Sequence, residues 1–594
     1  MLVYDKWRVH PAVIPLVIFS GITAVVFGAG LLNIMPFMVW VIFLLGLLLA
    51  LYYLFLFVRG KVVLLPLFTP ATVVFLASVA VILLTFQGVI HSHYDDFSHW
   101  GLIVKEMFQV GGLPDGRTTI GFKNYPPGSA TFLFYILTIV GYAESYALMA
   151  QAFFIAAALS VLFIFVSWKN AGGALLAFGA ALSILAMNGN YIYTLLVDGL
   201  LGMVALAITV IAFYYREDWR KSVAVNAPIL ILLLLIKDSG KLFFLYNICL
   251  LLYFVIQNQR KDPTIKGNFL KALVRVVLVV IVIPLSCSFL WGKYVDKVYQ
   301  EPAYHKFDIN RSKILNVQEN KSAEFIQNLG PMLIDSSLNF DTPAIQAFFI
   351  LNVLVLVSIL YFAIVHKRIA KVLLASMIYA NAAYVFYLFT LYSMYLFLMP
   401  ENEAVRLAGF LRYLATIIIY CAGVLMAALV YEWSKNFHVK KNTMVQGLII
   451  VLLSLVMVYP LKDSLRKIVM ERPDTEDSIR LGIKDQYQKL LNANAHSAKV
   501  LYYSPESLDD RGYLDFILKY VQLNRNFTIA RSIKTDEEMN EFQEKLEAAD
   551  YLVIVDQDHD ITGHIAGFQS GTSSTGIYKI MKTSETQITL SPIE

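Results

Sequence analysis

Apolar residues along this chain fall in long unbroken runs rather than in the short alternations that mark half-buried helices and strands. Runs of roughly 18 or more mostly apolar residues match the length that crosses ~30 Å of hydrocarbon. The stretches 36–57 and 347–365 are plain cases. The pattern predicts spans at 13–32, 35–57, 69–88, 147–167, 171–188, 191–214, 222–236, 242–256, 270–291, 345–365, 370–397, 410–431 and 443–460. The fold class expected is an α-helical polytopic membrane protein with about thirteen transmembrane helices and a small C-terminal α/β domain.

The segment 129–142 decides the sidedness of everything after it. It is apolar but only about 14 residues long, short for a span. With it kept on the outer face, one side collects Lys6, Arg8, Arg59, Lys61, Lys169, Arg216, Arg220, Lys221, Arg260, Lys261, Lys266, Lys271, Arg275, Lys367, Arg368, Lys371, Lys435, Lys440 and Lys441. The short connections on the other side hold Lys237, Lys241, Arg406 and Arg412. That asymmetry fits the excess of Lys and Arg in cytoplasmic loops. The segment 129–142 therefore reads as interfacial or re-entrant. The N-terminus is expected in the cytoplasm and the C-terminal domain outside. Lys6 and Arg8 ahead of an apolar run read as the flank of an uncleaved first span, because a second apolar run follows at once.

The expected division is a membrane domain over 1–460, with outer loops 89–146 and 292–344, and an extracytoplasmic domain over 461–594. In the tail, 499–504 (KVLYYS) and 550–555 (DYLVIV) read as strands. The stretches 508–522 and 536–548 read as helices. That order suggests a small α/β unit with no Gly-rich phosphate loop, placed to cover the outer cavity or engage a partner. His559 and His564 read as parts of a solvated loop, since no further ligands cluster with them.

Composition agrees with a membrane protein and adds little. Hydrophobic residues make up 58% and charged ones 15%, against about a quarter charged in soluble domains. The net charge of +5 is small for 594 residues and gives no ground for nucleic-acid binding. Cys249, Cys287 and Cys421 all lie in apolar runs and read as small buried hydrophobes.

The densest chemical signal is 91–101, HSHYDDFSHWG, which follows directly on a span and holds three of the ten histidines beside two adjacent carboxylates. A polar membrane exit anchored by Tyr94 and Trp100 is the plain alternative. The functional reading makes Asp95 or Asp96 a general base, or a ligand for a divalent cation such as Mg or Mn. His93 and His99 would then hydrogen-bond the carboxylates or a substrate phosphate. Adjacent residues point in different directions, so one carboxylate is the base, and Asp95 is favoured. Downstream, Tyr125 precedes Pro126 and Pro127, which set an extended lead into an apolar helix. Asp198 is placed about two turns into a span, where a charge is expensive and suggests function. Lys237 sits in a tight turn between short spans, either snorkelling to the interface or seating a lipid phosphate. Arg406, Arg412 and Tyr413 form another outward cluster, and Arg grips phosphate by a bidentate fork.

This arrangement resembles the GT-C superfamily of integral membrane glycosyltransferases, and the resemblance covers nearly the whole chain. Asp95 and Asp96 match the acidic residues of the family's first large outer loop. Tyr125, Pro126, Pro127, the juxtamembrane segment, Gly141 and Glu144 match in order, as do Asp198, the Lys237 and Gly240 turn, and the Arg412 and Tyr413 pair. One departure is that the acidic pair follows the third span here rather than the first, as two added N-terminal spans would explain. The resemblance implies an inverting transferase that moves a sugar from a polyprenyl-phosphate-linked donor to an envelope acceptor on the outer face. Polysaccharide, teichoic acid and lipid are open as acceptors. A transporter or flippase of a lipid-linked sugar would need no base, but would favour charges near the midplane and repeated halves. A polysaccharide polymerase or ligase is the other alternative.

Overall fold

In the computed structural model, residues 1–261, 269–299, 321–436, 443–471, 478–493, 495, 497–504, 512–531, 533, 535–555, 576–584 and 587–593 are described. Among them, eleven helices are long and apolar enough to cross a membrane. They are Pro11–Leu31, Met35–Val58, Glu144–Phe165, Ala171–Tyr193, Trp219–Ile236, Gly240–Gln259, Leu270–Val298, Pro343–Val365, Lys371–Phe397, Phe410–Asn436 and Met444–Met470. The shorter apolar helices Pro70–Thr85 and Asp198–Tyr214 fall on two further expected spans. Each of the thirteen expected spans thus coincides with a helix, and the chain is a multi-pass membrane protein. The short segment before the fourth span is the helix Gly128–Val140, of 13 residues.

The chain forms two compact units. The first comprises Met1–Val89, Val110–Leu113 and Phe122–Pro473. The second comprises Ile90–Gln109, Pro114–Gly121 and Asp474–Glu594. The second unit thus draws in most of the outer-loop segment 90–121 together with the tail.

Within the first unit the helices divide into central and peripheral. The apolar stretch of Phe410–Asn436 is 89% buried, against 6% for Met35–Val58, which is left to face lipid. The central helix packs tightly against Asp198–Tyr214. A Cβ on Gly202 would stand 2.6 Å from the carbonyl oxygen of Thr416, so only glycine admits this approach. Contacts advance along both helices together, from Asp198 with Arg412 to Thr209 with Tyr420. The two therefore run parallel, with their N-termini at the same end.

One sequence expectation fails here. Asp198 was placed two turns into a span over 191–214. Instead, residues 189–193 form a tight turn that prolongs the preceding helix, Thr194 is extended, and the next helix begins at Asp198 itself. The backbone between them is broken inside the membrane domain, where unpaired carbonyls are costly. The buried side chain of Gln151 meets that cost by donating to the carbonyls of Thr194 (3.1 Å) and Leu196 (3.0 Å). Asp198 gains the favourable N-terminal end of a helix dipole, which suits a carboxylate.

The second unit carries a five-stranded sheet in the order β2-β1-β3-β4-β5. The strands are β1 Val500–Tyr503, β2 Phe527–Ala530, β3 Tyr551–Ile554, β4 Gly576–Ser584 and β5 Gln587–Ile593. β1 pairs in parallel with β2 and β3, while β3/β4 and β4/β5 are antiparallel. Helices Tyr513–Gln522 and Asp536–Glu547 make the two parallel crossovers. The second of these starts in a capping box, Thr535 with Glu538. β1 and β3 are buried throughout, as their uninterrupted apolar runs suggest. β2, the β4/β5 hairpin and the helix Ser478–Asn492 complete the unit beyond what was expected. His559 and His564 lie outside the described residues.

Candidate active site

Three charged residues converge in the first unit. Lys237 ends the helix Trp219–Ile236 with an extended backbone, so its side chain turns back toward the start of Asp198–Tyr214. Its Nζ lies 2.7 Å from Asp198 Oδ1. Arg412 Nε lies 3.4 Å from Asp198 Oδ2. Lys237 and Asp198 are 8% and 5% exposed, so this is a buried ion pair, stable only because its geometry and second cation offset the desolvation of each charge. The ring of Tyr413 completes the cluster, 5.0 Å from Lys237 Nζ and 5.6 Å from the Arg412 guanidinium carbon. Two cations face one carboxylate, so the cluster carries a net charge of +1.

Tyr125 belongs to the same neighbourhood. The turn that carries it is held by Trp291, whose indole donates to the Asn124 carbonyl at 2.8 Å, and by Lys123 over the Tyr299 ring. Tyr125 stacks on Phe122 with ring centroids 4.8 Å apart. Burial, then the nearby Tyr413, Asp198 and Asp238, pushes its phenol far above the ordinary tyrosine range. The hydroxyl is therefore a neutral hydrogen-bond donor at any physiological pH.

The cluster closes one end of a cavity of about 460 Å³. Tyr125, Lys237, Asp238 and Tyr413 form its polar end. Leu242 from one span and Tyr387, Leu391, Met394, Phe397 and Leu398 from and just beyond another make its wall almost wholly apolar. An apolar cleft with a few convergent polar groups is the common form of a small-molecule site.

Arg406 is not brought into this cluster. It is exposed, on the turn that precedes the central helix. That turn contains Leu407 and Gly409 in left-handed conformations and is tied by Tyr395, which donates to the Ala408 carbonyl at 2.8 Å. Its tight course aims Arg412 and Tyr413, six and seven residues on, rather than Arg406. Glu401 is engaged elsewhere, accepting from the backbone (3.0 Å) and hydroxyl (2.6 Å) of Ser322.

The acidic loop belongs to the second unit. Asp95 caps a π-helical turn over Asp96–Trp100, a rare geometry that recurs at functional sites. Asp95 is half-exposed, whereas Asp96 is fully buried. His93 shapes the turn, its Nδ1 accepting from the Asp95 amide at 3.1 Å. His99 is 1% exposed and meets Trp100 edge-on. Among the described residues no group of three or more His, Cys, Asp or Glu side chains comes together to hold a metal ion.

The tail grips this loop. Arg480 Nη1 donates to the His91 carbonyl at 2.8 Å, and its guanidinium lies 5.5 Å over the Phe97 ring. Tyr513, Phe516 and Tyr520 lie on one helix face and meet Tyr94, Phe97 and His91. None of these tail residues was singled out from sequence. The aromatic spacing 513, 516, 520 was the available signal, being one face of a helix.

No protein-family model matches the chain, and no curated protein does. Two crystal structures of ArnT from Cupriavidus metallidurans are similar to it. The one bound to undecaprenyl phosphate shows 12% identity and a TM-score of 0.36, over 85% of this chain and 96% of that chain. The one in the apo state shows 13% identity and a TM-score of 0.36, over 82% and 93%.

Proposed function

We propose that the protein is an inverting glycosyltransferase of the GT-C kind, moving a sugar from a polyprenyl-phosphate-linked donor to a hydroxyl of an envelope polysaccharide, teichoic acid or lipid. The observation that carries this reading is the apolar cleft among membrane spans that ends at Lys237, Asp238, Tyr125 and Tyr413, with Arg412 joined to Lys237 through Asp198. A ligand that fits both ends is an isoprenoid chain with a phosphate head. Asp238 is neutralised by Lys241 at 2.6 Å, so the net positive charge of the Lys237, Arg412 and Asp198 cluster favours an anion, and Tyr125 adds a neutral donor.

In the reaction, Asp95 accepts the proton of the acceptor hydroxyl. The oxygen forms a bond to the anomeric carbon as the bond from that carbon to the phosphate oxygen breaks. The electron pair leaves with the phosphate, and the configuration inverts. Lys237 and Arg412 offset the charge that gathers on the departing polyprenyl phosphate. Asp95 is the base because it is half-exposed, whereas Asp96 is sealed from any acceptor. His93 orients it by fixing the turn. The membrane domain, 1–460, supplies the donor site, and the C-terminal domain, 461–594, lies outside the cell. Mass spectrometry of lipids retained by the purified protein tests the class. A polyprenyl phosphate or its glycosylated form is expected, and its consistent absence from preparations that retain other lipids would count against the reading.

The orientation has its own test. In a background without Cys249, Cys287 and Cys421, an impermeant thiol reagent applied to intact cells should label Gln543→Cys and spare Lys367→Cys. Both positions are exposed. The reverse pattern would invert the topology and place the proposed chemistry on the wrong face.

A further inference from the structure

We propose that Arg480 and Tyr520 are positioning residues for the turn that carries Asp95, making the C-terminal tail part of the catalytic centre rather than a cover for it. The inference deepens the proposed function and rests on Asp95 as the base.

Five residues in π-helical geometry, Asp96–Trp100, make a seldom-used winding. The bonds around Asp95 include the His93 contacts at 3.1 Å and 2.9 Å and a long one from Ser98 at 3.5 Å. Long-range hold on it comes from residues of the same unit almost four hundred positions later.

Arg480 holds the turn at two points on either side of Asp95. Its Nη1 donates to the His91 carbonyl at 2.8 Å, and its guanidinium stacks 5.5 Å over the Phe97 ring. It is only 7% exposed. Burying a guanidinium is costly, and a helix that merely packed would place Leu or Met there. A planar fork that both donates and stacks is what Arg adds. Tyr520 holds the same two points. Its hydroxyl is 3.3 Å from His91 Nδ1, and its ring meets Phe97 edge-on at 5.3 Å. His91 also packs closely on Gly101, where a Cβ would fall 2.6 Å from its Nδ1. Lys105 fixes Tyr520 in turn, donating to its carbonyl at 2.6 Å and lying 4.5 Å from its ring centroid. Tyr94, next to Asp95, stacks on Tyr513 and meets Phe516 edge-on. Residues 91, 94 and 97 are therefore pinned to the tail, and Asp95 lies half-exposed between Tyr94 and Phe97.

A base misplaced by about 1 Å can lose about 10²-fold in rate. Arg480→Ala is expected to cost turnover on that order, and Arg480→Lys to recover part of it, keeping charge but not the fork. Tyr520→Phe loses one hydroxyl contact, expected at about 5-fold. The test uses full-length protein in nanodiscs, with three readouts. They are hydrogen exchange of residues 91–100, binding of undecaprenyl phosphate as the probe, and the envelope glycan restored in cells lacking the gene. Clamp variants should speed exchange over 91–100 at least several-fold, lower the restored glycan, and leave undecaprenyl phosphate binding and protection of β1 and β3 unchanged. If Arg480→Ala unfolds the sheet, Tyr520→Phe decides. Unchanged exchange over 91–100 in Tyr520→Phe with β1 and β3 intact would overturn the clamp. So would Asp95→Asn abolishing the glycan while the folded clamp variants restore it in full. If Asp95→Asn restores the glycan while clamp variants loosen the turn, the base assignment fails instead.

Discussion

Replacing Asp95 with Asn is expected to lower the turnover number by roughly 10²–10⁴, the usual share of general-base catalysis, while donor affinity changes little. The substitution keeps the shape of the side chain and removes its ability to take a proton. Asp95 caps the π turn through its backbone, with its amide donating to His93, so Asn at this position preserves the local fold. Donor binding is assigned to the Lys237 and Arg412 cluster, which the substitution does not touch. Asp96→Asn should behave differently. Asp96 is 0% exposed, so its replacement alters buried packing, and the expected signature is a lower thermal midpoint together with lost activity. Steady-state kinetics beside thermal unfolding separates the two. If Asp96→Asn lost turnover at unchanged stability while Asp95→Asn kept it, the base would have to be reassigned to the buried residue.

The membrane helices were legible because a span is written as a contiguous run, with no need to know its neighbours. The short segment before Glu144 is a 13-residue helix, as short as its apolar run in the sequence. The break before Asp198 was not legible. Its residues are apolar enough to continue a helix, and what permits the break is Gln151, a side chain more than forty positions earlier that satisfies two carbonyls. Lys237, Arg412 and Asp198 were each visible as costly charges in apolar surroundings, but their union as one ion cluster depends on parallel packing at Gly202. Arg406 looked equivalent to Arg412 in sequence, and only the course of the turn separates them. In the tail, alternation and apolar runs disclosed β1 and β3. Nothing local discloses that Arg480 meets His91, because a buried Arg on an amphipathic helix reads the same as an exposed one.

Asp198→Asn is expected to tighten binding of a polyprenyl phosphate while lowering the stability of the unliganded protein by about 3–5 kcal/mol, the usual cost of leaving buried charge without its partner. The cluster of two cations and one carboxylate carries +1, and this substitution raises it to +2. Lys237 and Arg412 then lack their anion, and a bound phosphate supplies one. Ligand should therefore restore more stability in the variant than in the native protein, since whatever binds only the folded state stabilises it in proportion to its affinity. Turnover need not rise with affinity. Stronger holding of the phosphate before and after transfer is uniform binding, which does nothing for the chemical step and slows release of the product. Lys237→Ala moves the charge the other way, to zero, and should weaken both donor binding and turnover. The double variant Asp198→Asn with Lys237→Ala returns the cluster to +1 on Arg412 alone. Because the two residues touch at 2.7 Å, its effects should depart from the sum of the single ones. Thermal midpoints measured with and without undecaprenyl phosphate give all four corners of this cycle. A ligand-induced shift that stays the same in Asp198→Asn and in Lys237→Ala would mean that the phosphate does not bind at this cluster.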